Sequence, residues 1–359
     1  VSIHLFDPIT LRGRTFANRA WVSPMCQYSS TDGLASAWHL VHLGGLAVGR
    51  AGLVLTEATA VTPEGRISPD DLGLWSDAHA EALAPVVDFI HGQGVPIGIQ
   101  LAHAGRKASV HAPWRGHDSV PLDAGGWQTL APSALPFGRY AAPRAMTIDD
   151  MARTRDAFAA AARRAAALGV DVVEIHAAHG YLLHEFLSPL SNQREDRYGG
   201  SLENRMRYPL EVIEAVRAAW PDDRPLLLRV SATDWVDGGW DVESSVVLSR
   251  EAAARGVDLV DVSSAGNDER QQITLGPGYQ VPFAARIRAE AGVPTGSVGL
   301  ITEPAQAESI IAGGSADVVL LARAFLRDPH WVLAAAHALG ADIAWPDQYL
   351  RAAPDPGPR

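Results

Sequence analysis

Two imidazoles and a phenol are crowded into the short stretch His176-Ala-Ala-His179-Gly-Tyr181. They follow the apolar run Val170-Asp-Val-Val-Glu-Ile175, which reads as a buried β-strand, so all three emerge at its C-terminal end. An imidazole N–H can donate to an oxygen that gains negative charge, and a phenol can deliver a proton. Together they suit addition to a polarised C=C bond, in which an oxygen gains charge and a carbon gains a proton. A zinc-binding pair, or two structural histidines in a turn, are the plainer readings of the same residues.

Other residues of chemical interest also stand at the ends of apolar runs. Ser23-Pro24-Met25-Cys26-Gln27-Tyr28 carries the only cysteine of the chain. Cys26 stands among the strand-end candidates, although a lone cysteine is more commonly a small buried hydrophobe. Ala58 follows Glu57 at the end of a second run. Gln100 lies in an apolar run, and a buried amide needs polar partners. Arg229, between Leu226-Leu-Leu228 and Val230, is costly in a core unless an anion or dipole meets it. That anion could be an internal carboxylate or part of a ligand. Gly299 opens a turn, and Ala322-Arg323 follows the last apolar run. The arginine fork fits phosphate.

The elements that must position these residues alternate along the whole chain. Strand candidates cover residues 21–24, 52–58, 96–101, 171–176, 226–231, 259–263, 294–298 and 316–321. All look buried on both faces, which argues for a parallel sheet covered by helices. Helices are expected over 77–91, 149–168, 203–220 and 243–255. Ser76 is a cap candidate for the first. Thr147-Ile-Asp-Asp150 opens the second with a capping box, and Gly92, Gly169, Pro221 and Gly256 supply the stops. The repeated strand–helix order predicts the α/β class and a single (β/α)8 TIM barrel spanning residues 1–359. A doubly wound open sheet is the rival, but no Gly-x-Gly-x-x-Gly follows the first strand. The residues before the first strand are expected to cap the barrel floor. The insertion after strand 3, residues 103–146, is rich in Pro, Gly and Trp and reads as a lid, and residues 345–359 form a C-terminal tail.

In a barrel the active site lies at the C-terminal ends of the strands, which turns the list of strand ends into a list of site residues. Loops seven and eight often bind phosphate through backbone N–H groups. A phosphate there, an amide at strand three and an arginine at strand five would surround one flat, elongated, phosphorylated ligand. FMN has that form.

Bulk properties narrow the function classes. Charged residues are 20% and hydrophobic residues 47% of the chain, an ordinary soluble composition. No apolar run approaches the ~18 residues of a membrane span. The first residues lack the basic and apolar regions of a signal peptide, so a cytoplasmic location is expected. The net charge of -11 repels phosphate backbones and opposes nucleic-acid binding. One cysteine excludes an internal disulfide and a cysteine-ligated iron–sulfur cluster. Lys107 is the only lysine, so a Schiff-base aldolase has one candidate residue.

With these pieces in order, the chain resembles the old yellow enzyme family of flavin-dependent ene-reductases, and more closely its bacterial branch that includes the xenobiotic reductases. The resemblance rests on Ser23-Pro-Met-Cys-Gln-Tyr28, Glu57-Ala-Thr-Ala-Val61, Gly98-Ile-Gln-Leu-Ala-His-Ala-Gly-Arg-Lys107, His176-Ala-Ala-His-Gly-Tyr-Leu182, Ser191-Asn-Gln-Arg194, Tyr198-Gly-Gly-Ser201, Glu203-Asn-Arg205 and Arg323 with Arg327-Asp-Pro329. It implies FMN as cofactor, NADPH or NADH as hydride donor, and small activated alkenes as substrates. Ser23, Pro24, Met25 and Cys26 would run along the flavin, Ala58 and Gln100 would contact its ring, and Arg229 would sit by N1 and O2. Gly299, Ala322 and Arg323 would serve the phosphate. His176 and His179 would bind the substrate oxygen, Tyr181 would donate the proton, and Tyr28 would close the pocket. No metal is implied. The segment Gln348-Tyr-Leu-Arg351 resembles one that reaches a neighbouring subunit's site, which implies a homo-oligomer, dimer or tetramer, with Arg351 acting in trans. The chain departs from the family in having Ala322 where glycine is usual, and in the Pro-rich end of its tail.

Rival readings are another FMN barrel, a metal-dependent lyase using His176 and His179 with Glu174 or Glu185, and a flavin binder without catalysis.

Overall fold

The computed structural model describes residues 3–354. Eight strands close a parallel barrel in strict chain order. They are β1 (Ala20–Val22), β2 (Val54–Ala60), β3 (Ile97–Ala102), β4 (Val172–Ala177), β5 (Leu226–Ser231), β6 (Leu259–Ser263), β7 (Thr295–Ser297) and β8 (Val318–Leu321). Around it run α1 (Ala37–Val48), α2 (Asp77–Gly92), α3 (Ile148–Ala167), α4 (Leu202–Ala219), α5 (Val242–Ala254), α6 (Val281–Ala291), α7 (Pro304–Ala312) and α8 (Trp331–Leu339). This is the expected (β/α)8 barrel.

The two-residue period of each strand sorts its side chains. Ile97, Ile99, Val173, Ile175, Leu228, Val230, Val260 and Val262 face outward and pack against the helices. Their alternate neighbours Leu55, Val172, Leu227, Leu259, Val318 and Leu320 fill the lower barrel with Trp21. A hairpin of Ile9–Leu11 with Arg14–Phe16 closes the floor and adds Ile9, Leu11 and Phe16 to that inner cluster.

Local differences from the sequence expectation have physical causes. β1 ends at Val22 because Pro24 has no N–H for the ladder, although the Ser23 N–H still donates to the Leu321 carbonyl at 2.9 Å. In β2 the register against β3 shifts between Leu55 and Ala58, a bulge that hydrophobic pattern does not reveal. Thr147 and Asp150 form the expected reciprocal cap of α3. Ser76 occupies the cap position of α2, but its hydroxyl pairs with His79 Nδ1 at 2.6 Å instead of a helix N–H. In the insertion, Trp114 packs edge-on against Tyr28 with ring centroids 5.4 Å apart.

Candidate active site

The turn after β4 carries the His–His–Tyr group. His176 is buried near the C-terminal end of β4 on its inward face, and His179 follows at φ +60, left-handed backbone that is uncommon for a residue with a side chain. Gly180 continues the turn at φ +71, where a Cβ would meet the Gly266 carbonyl oxygen at 2.2 Å. The His179 N–H donates to Ser231 Oγ at 2.9 Å, and that hydroxyl donates to the Ala265 carbonyl at 2.8 Å. Behind the turn, the Gly180 N–H donates to His184 Nδ1 at 2.9 Å, while His184 Nε2 lies 2.9 Å from Asp234 Oδ1.

One chain of hydrogen bonds assigns the tautomers. The Ala178 N–H donates to His176 Nδ1 at 3.2 Å, so the proton of neutral His176 sits on Nε2. That nitrogen faces His179 Nδ1 at 3.4 Å, which puts the His179 proton on Nε2, 2.7 Å from Ser263 Oγ. Burial, then the Arg229 charge, holds both imidazoles well below their usual pKa, so they stay neutral donors. The Tyr181 ring meets His176 edge to face at 5.0 Å. Burial pushes its phenol up, so it stays protonated.

Below this turn the barrel holds a charged layer. Gln100 Nε2 donates to Glu174 Oε1 at 2.8 Å. Arg229 Nε lies 3.0 Å from Asp261 Oδ2, and its Nη2 donates to Ser23 Oγ at 3.0 Å. An internal carboxylate therefore does meet Arg229, as one of the sequence alternatives allowed. Burial, then the nearby Asp261 charge, pushes Glu174 up to about 8, and burial raises Asp261. Glu174 Oε2, Asp261 Oδ1 and Ser297 Oγ are buried with no hydrogen-bond partner among the described residues. Glu174 is thus engaged with Gln100, and Glu185 Oε1 accepts from the Arg106 N–H at 2.8 Å. Among the described residues, no three His, Cys, Asp or Glu side chains are grouped to hold a metal ion.

The pocket wall beside Tyr181 is apolar. Ala58, Ile67, Ala102, Ala104 and Ala108 form one cluster with Cys26, Trp127, Tyr140 and Tyr181 packed on it. Burial, followed by the Asp71 and Glu57 charges, raises the Cys26 thiol and keeps it protonated. Tyr28 stands beside it at φ +50. The Glu57 carboxylate braces this corner, accepting from the Gln27 N–H at 3.0 Å and pairing with His39 at 3.0 Å.

At the ends of β7 and β8 a cavity of about 220 Å³ is lined by Ser263, Tyr279, Gln280, Gly299, Ala322 and Arg323 among others. Gly299 is needed there: at φ +121 a Cβ would lie 2.7 Å from Gln280 Nε2. Ala322, by contrast, sits at a negative φ of −112, so the left-handed backbone that favours glycine is not required there. Arg323 is exposed, with no hydrogen bond or ion pair among the described residues. Ser263 lines this cavity and also meets His179, which makes the cavity and the histidine pair parts of one mouth.

The sequence-derived residues thus gather in four adjoining groups. Arg351 does not join them. It lies exposed in the turn Asp347–Ala352, whose Tyr349 packs on His330 at 5.4 Å. The last part of the Pro-rich tail, residues 355–359, lies outside the described residues. Ser231, Ser263, Gln280, Asp261 and Ile67 were not anticipated. Of these only Asp261 leaves a signal, a charge between Val260 and Val262 of the same kind that singled out Arg229.

A closed parallel barrel with its polar and strained residues collected at one mouth defines the molecule as a barrel enzyme. The chain belongs to the NADH:flavin oxidoreductase / NADH oxidase family, which it matches over residues 4–342. It is similar to the NADPH dehydrogenase of Geobacillus thermodenitrificans strain NG80-2, 49% identical over 350 residues, covering 97% of this chain and 98% of the relative. Among solved structures it is similar to morphinone reductase, with TM-score 0.79, 28% identity and coverage of 97% of this chain and 92% of the other. It is also similar to the old yellow enzyme homologue from Zymomonas mobilis, with TM-score 0.77, 27% identity and coverage of 96% and 94%. The resemblance to the old yellow enzyme family therefore holds, and with it FMN and NAD(P)H as cofactors. The residues present fit FMN: a partnerless cation and a glycine-lined cavity at one end, and buried polar atoms lacking partners under the other. Among the described residues no helix is long and apolar enough to cross a membrane.

Proposed function

We propose that the chain is an FMN-dependent ene-reductase acting on small activated alkenes, such as α,β-unsaturated carbonyl and nitro compounds. The observation that carries this reading is the contact of His176, His179 and Tyr181 at the mouth, joined through Ser263 to the phosphate-fitting cavity. Bound FMN would accept hydride from NAD(P)H and give it to the electrophilic carbon of the alkene. Arg323 and the Gly299 turn would hold its phosphate, Gln100, Ala58 and Ser23 to Cys26 its ring, and Arg229 the edge where negative charge collects.

The protein's own part is to polarise and protonate. The His176 Nε2–H spans 3.4 Å to His179, the long end for a hydrogen bond, so a carbonyl or nitro oxygen can replace that contact. A neutral imidazole donates without burying a charge, and the His176 Nε2–H would contribute on the order of 3 kcal/mol to a developing oxyanion; His179 would add a second donor by giving up its bond to Ser263. The Tyr181 Oη–H bond then breaks, and its proton goes to the α-carbon. Tyr28, under Trp114, would close the pocket over the substrate. Arg351, exposed on this chain, would serve the mouth of a neighbouring copy in a homo-oligomer.

An absorbance spectrum under anaerobic NADPH, followed by excess 2-cyclohexenone, tests the reading. Flavin bands should bleach and then return. A protein that bleaches but is not reoxidised by the enone sinks the substrate assignment. In stopped-flow measurements, His176→Ala should lower alkene reduction about 100-fold or more by analogy with loss of one oxyanion donor, and cofactor reduction by NADPH much less. Equal loss of both half-reactions contradicts the assignment.

A further inference from the structure

The one lysine of the chain stands at this mouth, and the mechanism above gives it no task. Lys107 Nζ donates to the His179 carbonyl at 2.8 Å and to the Gly266 carbonyl at 2.8 Å. It lies 4.6 Å from the Phe137 ring centroid and 5.1 Å from that of Tyr181. The two carbonyls belong to backbones that touch. A Cβ on Gly180 would lie 2.2 Å from the Gly266 oxygen, and one on Gly266 would lie 2.7 Å from His179 Cα. Two carbonyl dipoles converging at such an approach repel unless a cation lies between them. An ammonium, a compact charge with three donors, can bond both and still face a ring; the planar guanidinium of arginine is shaped for a flat anion.

We propose that Lys107 is a positioning residue for proton transfer, clamping the Tyr181 turn to the loop after β6 and holding a cation on the Tyr181 ring so that the phenol ionises more readily. This rests on the reading of Tyr181 as proton donor. As the O–H bond breaks, the proton goes to the substrate α-carbon and the electron pair stays on Oη. The ring then carries the negative charge that the adjacent cation stabilises. Solvent returns the proton afterwards. Burial acts the other way, since it raises the phenol. The groups facing Lys107 are Arg106 from its own turn, Glu185 from the short helix Leu182–Leu187, His179 and Tyr181 from the clamped turn, and His176 from β4. The imidazoles are neutral. Burial, opposed by Glu185 and reinforced by Arg106, brings the ammonium down to about 8, and burial brings Glu185 up to about 8. The cation is therefore present at neutral pH and is lost as pH rises past that value.

The test is a double-mutant cycle on the holoenzyme. Lys107→Met should slow single-turnover alkene reduction about tenfold, the scale of one desolvated cation–π contact. It should leave little further effect when Tyr181→Phe is already present. Lys107→Arg should recover part of the rate, and Lys107→Gln replaces Lys107→Met where that variant does not fold. A second readout is the pH profile of single-turnover alkene reduction. The wild-type rate should fall as pH rises past about 8, where the ammonium is lost, and the Lys107→Met rate should not show that fall. Equal slowing with and without the phenol, or the same fall in Lys107→Met, overturns the proposal while leaving Tyr181 as donor. If Tyr181→Phe itself reduces the alkene at the wild-type rate, the donor reading fails and takes this proposal with it.

Discussion

At the floor of the barrel, Phe16 and Trp21 pack ring on ring at 4.7 Å among Leu53, Leu55, Val172 and Leu320, all fully or almost fully buried. At the mouth, the same strands end in His179, Tyr28, Ser109, Trp235, Ala265 and Leu300, every one at positive φ. Among the described residues, two of the nine non-glycine residues in that region, Arg12 and Arg50, belong to the floor side. The floor holds closely packed apolar side chains, so its contribution is burial. The mouth holds most of the left-handed non-glycine backbone, and its buried carboxylates Glu174 and Asp261 are raised above their usual range and carry oxygens without hydrogen-bond partners among the described residues. Such features persist only where surrounding structure fixes them, and they are the ones that orient reacting groups. One barrel thus separates stability from chemistry along its axis.

The largest expected effect tests the floor. Trp21→Ala removes a fully buried indole and should cost about 3–5 kcal/mol of stability, read by urea unfolding. Alkene reduction per folded molecule should be retained. A Trp21→Ala protein that folds yet loses this reaction as His176→Ala does would break the division between the two ends.

A matched pair of glycines sharpens it. Gly94 at φ +72, on the floor side between α2 and β3, has nothing within 4 Å of its Cβ position, whereas Gly180 at φ +71 faces the Gly266 oxygen at 2.2 Å. Gly94→Ala should cost only the left-handed backbone penalty, roughly 1–2 kcal/mol. Gly180→Ala adds a steric displacement of ~1–3 kcal/mol and should also depress alkene reduction, because Tyr181 is the next residue. Equal unfolding costs, or unchanged turnover in Gly180→Ala, would show that the close approach does not position the site.

The same division explains what could be read from sequence. The outward and inward residues of β3 to β6 are regular apolar patterns, so the barrel and its order were legible. Gln100, Arg229 and the His–His–Tyr turn were legible because polar groups at the end of an apolar strand demand an explanation. The bulge in β2 was not, since it depends on the Thr56 and Thr59 hydroxyls meeting each other at 3.1 Å and the Glu57 carbonyl at 3.0 and 2.8 Å. Ser231 and Ser263 were not either, because a serine in a strand carries no sign that the His179 N–H or its imidazole, from the turn after another strand, will reach it. α1 lacked charged residues to mark a face, and Gly44-Gly45 obscured its period. Partners far apart in sequence are set by barrel closure, which single-sequence patterns do not encode.

The smallest effect concerns a mouth-side element with no chemistry. α3 starts directly after the insertion, capped by Thr147 Oγ1, which accepts from the Asp150 N–H at 3.1 Å, while Asp150 Oδ2 accepts from the Thr147 N–H at 2.8 Å. Arg144 and Arg153 also pair with Asp150. Thr147→Ala should cost about 1 kcal/mol and leave alkene reduction intact, showing that position at the mouth does not by itself imply a role in the reaction. The Arg144 hydrogen bond, opposed by burial and helped by Thr147, holds Asp150 well below the usual carboxylate range. A carboxylate depressed in the fold contributes stability above its unfolded pKa of about 3.9 and loses it as pH falls toward the folded value. The stability gap between wild type and Asp150→Asn should therefore be constant from neutral pH down to that point and narrow below it. A gap that stays constant through acid unfolding would mean that the cap acts through shape alone, and that the arginines around Asp150 add no charge-dependent stability to this end of the barrel.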